Sequence, residues 1–223
     1  MLQISTHNEV SAIIELFSCQ PERQPELIDT SIEFARVAAQ QPGFVAIAIH
    51  KSLDGLKVAT YAQWQSQKDY ETFINSPEQQ ALAAKFSDFP APDSHLYEVV
   101  SSDSKVDTPK ISQGEYLVHF AEFRLQPENQ PRMVELAKQH VGSAMELPGL
   151  ISANFHRSLD GTRVINYGQW RDRETIEELR QQPGFGSESP YWEGLAENEF
   201  HLYEVVFVES KTIDFLQKSG SGQ

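Results

Sequence analysis

The chain has a single cysteine, Cys19, so no internal disulfide can form, and that scarcity points to a reducing compartment. Its neighbourhood reads as the end of an apolar strand, which makes it a small buried residue rather than a nucleophile. No apolar run approaches the roughly 18 residues that cross a bilayer. The first ten residues lack the basic-then-apolar order of a secretion signal. A cytoplasmic protein is expected. Positive charge is scarce as well: 18 Lys+Arg stand against 32 Asp+Glu, a formal net charge of −14. Nucleic acid and anionic membrane both select a basic face, so neither is an expected partner. There is no Gly-x-Gly-x-x-Gly fingerprint, no phosphate loop and no Cys-x-x-Cys, and the seven histidines avoid the short spacings of metal sites. No metal and no cofactor is expected.

What the chain does have is a repeat. "HKSLDGLKVATYAQW", from His50 to Trp64, returns as "HRSLDGTRVINYGQW", from His156 to Trp170. The offset of 106 also carries Pro42-Gly43 onto Pro148-Gly149, and His95-Leu-Tyr-Glu-Val-Val100 onto the identical hexamer His201 to Val206. Residues 11–100 and 117–206 share 26 identities without an insertion. This is a duplicated domain, and two copies are too few for a stacked solenoid. The boundaries read as 1–104 for the first domain, 105–116 for a polar linker and 117–223 for the second domain with its tail. The last six residues, from Lys218, read as frayed.

Each copy has the pattern of strand, helix, strand, strand, helix, strand. Apolar residues three and four apart over Pro25–Gln40 and Pro131–Leu147 predict helices, each opened by proline and stopped by Pro-Gly. Phe44–His50 and Val58–Trp64 flank an Asp-Gly pair, a strong hairpin signal. Further helices are expected near Gln67 and Asp172, and closing strands over Leu96–Val100 and Leu202–Val208. The βαββαβ order predicts α+β, with two tandem ferredoxin-like domains. Strands such as Phe44–Ile49 are apolar on both faces, so a second sheet should cover the first. The expectation is an α/β barrel closed within one chain, with a cavity between the sheets.

The run from Gly-Phe/Leu through His-Lys/Arg-Ser-Leu-Asp-Gly to Tyr-Ala/Gly-Gln-Trp resembles the antibiotic biosynthesis monooxygenase family. Its nearest likeness is to the anthrone-type oxygenases of aromatic polyketide pathways. The resemblance covers both copies and implies monooxygenation of a polycyclic phenol, anthrone or quinol by dioxygen, without metal, flavin or nicotinamide. Such chemistry asks for an apolar pocket, a group that steadies an oxyanion and a proton relay. The family's Asn and Trp, four apart on the third strand, fall on Asn166 and Trp170 in the second copy. The first copy keeps Trp64 but has Thr60 in the Asn place. The family's Tyr falls on Tyr70 in the first copy and on Ile176 in the second. The family's Arg has no match, because Ala84 and Pro190 stand there. Each copy keeps part of a site, so the cavities have specialised or one is vestigial.

The candidate catalytic residues are therefore Asn166, Trp170, Trp64 and Tyr70. Thr60, His50 and His156 are candidates for substrate binding, although the two histidines also fit a surface or turn-capping role beside the hairpin. The tryptophans also fit plain core anchors, and His95 and His201 read as structural. Tyr191-Trp192, in the Gly/Ser/Pro-rich stretch from Pro183 to Gly194, reads as surface packing or as a lid. Expected partners are a small aromatic substrate and dioxygen, with a homodimer left open. The rival function is a non-catalytic barrel that binds a small ligand. Haem degradation is disfavoured, because the ligating His of that branch falls on Ile74 and Arg180.

Overall fold

The computed structural model describes residues 2–7, 9–182, 184–185 and 190–211. The tail from Lys218 and part of the Pro183–Gly194 stretch lie outside the described residues. The elements of the first copy are β2 (Ser11–Ser18), α1 (Gln24–Ala38), β3 (Phe44–Ser52), β4 (Lys57–Trp64), α2 (Gln67–Ile74), α3 (Pro77–Ala83) and β5 (Asp93–Ser104). A short β1 (Leu2–Gln3) precedes them. The second copy comprises β7 (Leu117–Leu125), α4 (Gln130–Met145), β8 (Leu150–Ser158), β9 (Arg163–Trp170), α5 (Arg173–Arg180) and β10 (Ala196–Ser210). The join between the copies is tied down, because β6 (Lys110–Ile111) within it pairs antiparallel with β1.

Both long helices bury one stripe. Leu27, Ser31, Ala35 and Ala38 face the sheet from α1, and Met133, Ala137, Val141 and Ala144 do so from α4. These are the same four positions 106 residues apart. The helix side of each sheet and the barrel side then follow the two-residue alternation of strands. On β4 and β9, Thr60, Ala62 and Trp64, and Asn166, Gly168 and Trp170, face the helices. Tyr61 and Tyr167 point the other way, into the barrel.

The eight long strands form a single closed barrel, in the order β10-β3-β4-β2-β5-β8-β9-β7. The copies join edge to edge, β5 to β8 and β10 to β3. The closing strands are longer than the sequence pattern suggests for this reason. Each pairs with its own sheet on one side and with the other copy on the second, as in Tyr97↔Ser158 to Ser104↔Ser152 and Tyr203↔Ser52 to Ser210↔Ala46. A barrel leaves no free edge between the copies. The hairpin turns reinforce the seams. Gly55 and Gly161 take the left-handed backbone there, at φ of +81° and +82°. Asp54 reaches His201 and Asp160 reaches His95, each at 2.6 Å.

The expected cavity between the sheets is corrected by the structure. The barrel interior is filled by Ile14, Leu16, Tyr61, Tyr97, Phe120, Tyr167 and Tyr203, leaving a cleft of about 120 Å³ near Ser5, Gln63 and Tyr97. His50 and His156 also lie in this interior and are fully buried, so neither takes the surface or turn-capping place. They form two crossed pairs between the copies: His50 Nε2 with the Tyr167 hydroxyl at 3.1 Å, and His156 Nε2 with the Tyr61 hydroxyl at 3.0 Å. Burial pushes both imidazoles down to about 4, so they are neutral at neutral pH.

Candidate active site

Two cavities lie outside the barrel at equivalent places in the copies, each between a sheet and its own helices. The one in the second copy measures about 430 Å³. Its floor is β7, β9 and β10, through His119, Ala121, Phe123, Asn166, Asn198 and Phe200. Helix α5 supplies Ile176, Leu179 and Arg180 as one wall. The other wall is Phe185, Tyr191 and Trp192. Tyr191 stacks on His140, with centroids 4.9 Å apart, and Trp192 packs on Phe123 at 5.4 Å. The surface-packing expectation for Tyr191-Trp192 is thus corrected, since both side chains line this cavity. Arg180 stands over the Phe200 ring at 5.4 Å and brings a cation to the rim.

Two polar groups on the floor have chemical meaning. The Asn166 side-chain oxygen Oδ1 is buried and accepts no hydrogen bond among the described residues. Orphaned buried acceptors are rare in folded proteins because each costs roughly 1–3 kcal/mol. Asn166 lines the cavity, so a small turn of its amide offers this acceptor to a ligand donor. The second group is His119. The Trp170 indole N–H donates to its Nδ1 at 2.6 Å. Indole nitrogen can only donate, so the imidazole proton must sit on Nε2. Burial pushes this histidine down to about 3 and keeps it neutral. His119 is therefore a neutral N–H donor with a fixed tautomer. Its ring occupies space that only glycine leaves open: a Cβ on Gly168 would stand 2.1 Å from His119 Cε1.

The cavity of the first copy occupies the equivalent place, is smaller at about 190 Å³, and has different chemistry. Thr60 stands where the second copy has Asn166, Ile13 where it has His119, and Ala62 where it has Gly168. The polar group here is Glu15, which replaces Ala121. Its carboxyl accepts from Thr60 Oγ1 at 3.0 Å and from Ser94 Oγ at 3.2 Å. Burial pushes its pKa up. Tyr70 interacts with Ser94, and burial together with the Glu15 charge holds its phenol well above the ordinary value.

The sequence-predicted residues therefore divide between places. Asn166 lines the second cavity, with Trp170 buried beneath it and reaching it through His119. Thr60 lines the first cavity, with Tyr70 beside Glu15 and Ser94. Trp64 is buried behind it, stacked on Phe73 at 5.2 Å and edge-on to Phe44 at 5.6 Å. The structure does not bring Tyr70 to Asn166, nor His50 and His156 to either cavity. Sequence reasoning missed His119, Gly168 and Glu15. Their signal was present as departures from the repeat, with Ile13, Ala62 and Ala121 in the corresponding places.

The sequence profile of antibiotic biosynthesis monooxygenases matches residues 10–85 and 117–187, more than half of the chain. The chain belongs to the antibiotic biosynthesis monooxygenase family. Among relatives of this family member, the tetracenomycin-F1 monooxygenase of Streptomyces glaucescens is 33% identical over 78 residues, or 34% of this chain and 70% of that protein. A solved anthrone oxidase-like protein superposes with a TM-score of 0.80 at 21% identity, covering 93% of this chain and 96% of its own. It shares the duplicated fold along nearly its whole length. A regulator of staphylococcal pathogenesis also shares the fold, with a TM-score of 0.52 at 10% identity, covering 88% of this chain and 99% of its own. Fold alone therefore does not separate enzyme from regulator, and the cavity has to. Among the described residues no group of three His, Cys, Asp or Glu side chains could hold a metal ion. No helix among them is long and apolar enough to cross a membrane.

Proposed function

We propose that this family member is a cofactor-independent monooxygenase that oxidises a polycyclic phenol, anthrone or quinol with dioxygen in the cavity of the second copy. One observation carries the reading: an orphaned acceptor, Asn166 Oδ1, lies on the floor of an apolar cavity beside a neutral donor, His119. An anthrone carries a methylene next to its aromatic ketone system. Loss of one proton to solvent water at the rim gives an electron-rich enolate that can reduce dioxygen directly. The net change replaces the methylene by a carbonyl and releases water, with dioxygen supplying both oxygen atoms.

The residues present supply an apolar pocket and an oxyanion donor for that step, and the relay placed on Tyr70 belongs to the other cavity. His119 Nε2–H points the same donor at the carbonyl oxygen throughout, and that oxygen gains charge as the proton leaves. A neutral imidazole is suited to this role because it donates without first losing a charge. Asn166 accepts from a ring hydroxyl and fixes the orientation of the ring. Phe123, Phe200 and Trp192 give aromatic faces, and their apolar surroundings strengthen each hydrogen bond on the floor. Arg180 at the rim offsets the negative charge that dioxygen acquires when reduced. The relation to tetracenomycin-F1 monooxygenase and to an anthrone oxidase-like fold supports this substrate class. The test is dioxygen uptake by metal-free protein offered anthrones and quinols of three and four rings. Stoichiometric uptake with quinone formation is expected. Binding of every compound without uptake would overturn the enzymatic reading.

A further inference from the structure

Glu15 is hard to explain as structure. Its carboxyl lies at the sheet–helix interface of the first copy, among Phe17, Phe34 and Phe86. Among the described residues no lysine or arginine pairs with it; its partners are the Thr60 and Ser94 hydroxyls. A half-buried carboxylate without a cation gives up hydration that a packing role would not ask of it. The repeat supplies the control. The second copy builds the same strand, helix and sheet with Ala121 in that place, so the fold does not need an acid there.

The cavity beside it suggests what the acid is for. Two hydroxyl donors occupy one lone pair on each carboxyl oxygen and leave the others free. The space of about 190 Å³ is walled by Phe17, Phe34, Phe86 and Pro92. That room suits one or two fused rings and is less than half of what the second copy offers. We propose that the first-copy cavity is a second ligand site, distinct from the one containing Asn166, that binds a one- or two-ring phenol through a hydrogen bond from the phenol O–H to Glu15. Ring faces supply the apolar contact, and Glu15 selects for the hydroxyl. Binding here does not depend on turnover in the other cavity.

The test is a titration of the full chain with 1-naphthol and with naphthalene, followed by amide shifts in nuclear magnetic resonance spectra. 1-Naphthol should move amides around Thr60, Phe34 and Ala83, and naphthalene should bind there at least about tenfold more weakly, the factor that one hydrogen bond to a charged acceptor gives. Glu15→Ala, which reproduces the second copy's residue, should remove that preference. Should it fail to fold, Glu15→Gln keeps an acceptor without the charge and should reduce the preference. Equal affinities for the two probes, shifts confined to the Asn166 and Phe200 surroundings, or an unchanged preference in the folded Glu15 variant would each overturn the proposal. Naphthol binding beside Thr60 in a protein that oxidises nothing would defeat only the proposed function. Turnover of a three-ring anthrone without those shifts would defeat only this inference.

Discussion

Gly168 and His119 face each other across β9 and β7, and the imidazole fills the volume a side chain at position 168 would claim. A methyl group there would overlap His119 Cε1, which would stand 2.1 Å away. Gly168→Ala is therefore expected to swing the imidazole away from Trp170 and the cavity floor. Turnover of an anthrone should fall at least tenfold, because one preorganised donor is worth about a hundredfold or more in rate. Steady-state dioxygen uptake measures it. Wild-type rates in this variant would show that His119 is not part of the site. The first copy tolerates Ala62 at the same position because Ile13 replaces the histidine.

Asn166 gives a second expectation, in which activity and stability move in opposite directions. Its orphaned oxygen costs the folded state free energy. Asn166→Ala should lower turnover at least about tenfold, the effect of losing one orienting hydrogen bond, while leaving the melting temperature unchanged or slightly raised. Thr60→Ala should leave turnover in the second cavity untouched. The two variants are compared by dioxygen uptake and thermal melting. Equal, small effects on turnover at positions 60 and 166 would remove Asn166 from the mechanism.

Acid should destabilise the protein before its ordinary surface carboxylates titrate. His50, His156 and His119 are held at about 4, 4 and 3 by burial, whereas an unfolded histidine titrates near 6.5. Between those values the unfolded chain binds protons that the native chain refuses. Stability therefore rises with pH across this window and is lost as pH falls below about 6.5, by about 1.4 kcal/mol per pH unit for each histidine. Glu15 and Glu122, both pushed up chiefly by burial, act in the opposite direction but are outnumbered, and His95, pushed up by its hydrogen bond to Asp93, opposes only near and above pH 6.5. The melting temperature should fall measurably from pH 6.5 to pH 5. The His50→Gln, His156→Gln double variant should show a shallower slope. A flat profile in the wild type would mean the crossed pairs are not held neutral.

The barrel was legible in the sequence, and its contents were not. The 106-residue register, the Asp-Gly hairpins and the proline-opened helices each carry local signals, and all reappear as elements. The facing of His50 and His156 carried none, because β3 and β8 are buried along nearly their whole length and show no clear alternation. The position of the cavities depended on whether the two sheets would pack closely enough to fill the barrel. That is decided by rings interlocking across the copies, Tyr61 with Tyr167 at 5.9 Å and His50 with Phe120 at 5.1 Å between centroids, and no local pattern encodes it. Asn166 and Thr60 were singled out by their place in a motif, and each lines a cavity. His119 and Glu15 were missed because matching residues drew the comparison, whereas chemistry had accumulated where the copies differ.

The seams predict how a half-chain behaves. Residues 1–104 alone would expose the unpaired edges of β3 and β5, which the second copy covers in the intact protein. The fragment carries both His50 and Tyr61, so two fragments can rebuild both crossed pairs between themselves. Sedimentation should find this fragment as a dimer, with no stable monomer. A folded monomer of residues 1–104 would show that the edges are not the main bond between the copies.

Strands β5 and β10 reach across to the opposite copy, and this has a consequence for how the protein can change. In a symmetric pair of separate chains every substitution arrives twice, so both pockets must accept it together. Fusion through residues 105–116 lifts that obligation, and each half inherits its own mutations. The barrel has kept its twofold bookkeeping where symmetry holds it closed, at the histidine–tyrosine pairs and the hairpin aspartates. It has let symmetry go on the two outer faces, so one gene can explore two pockets without risking both.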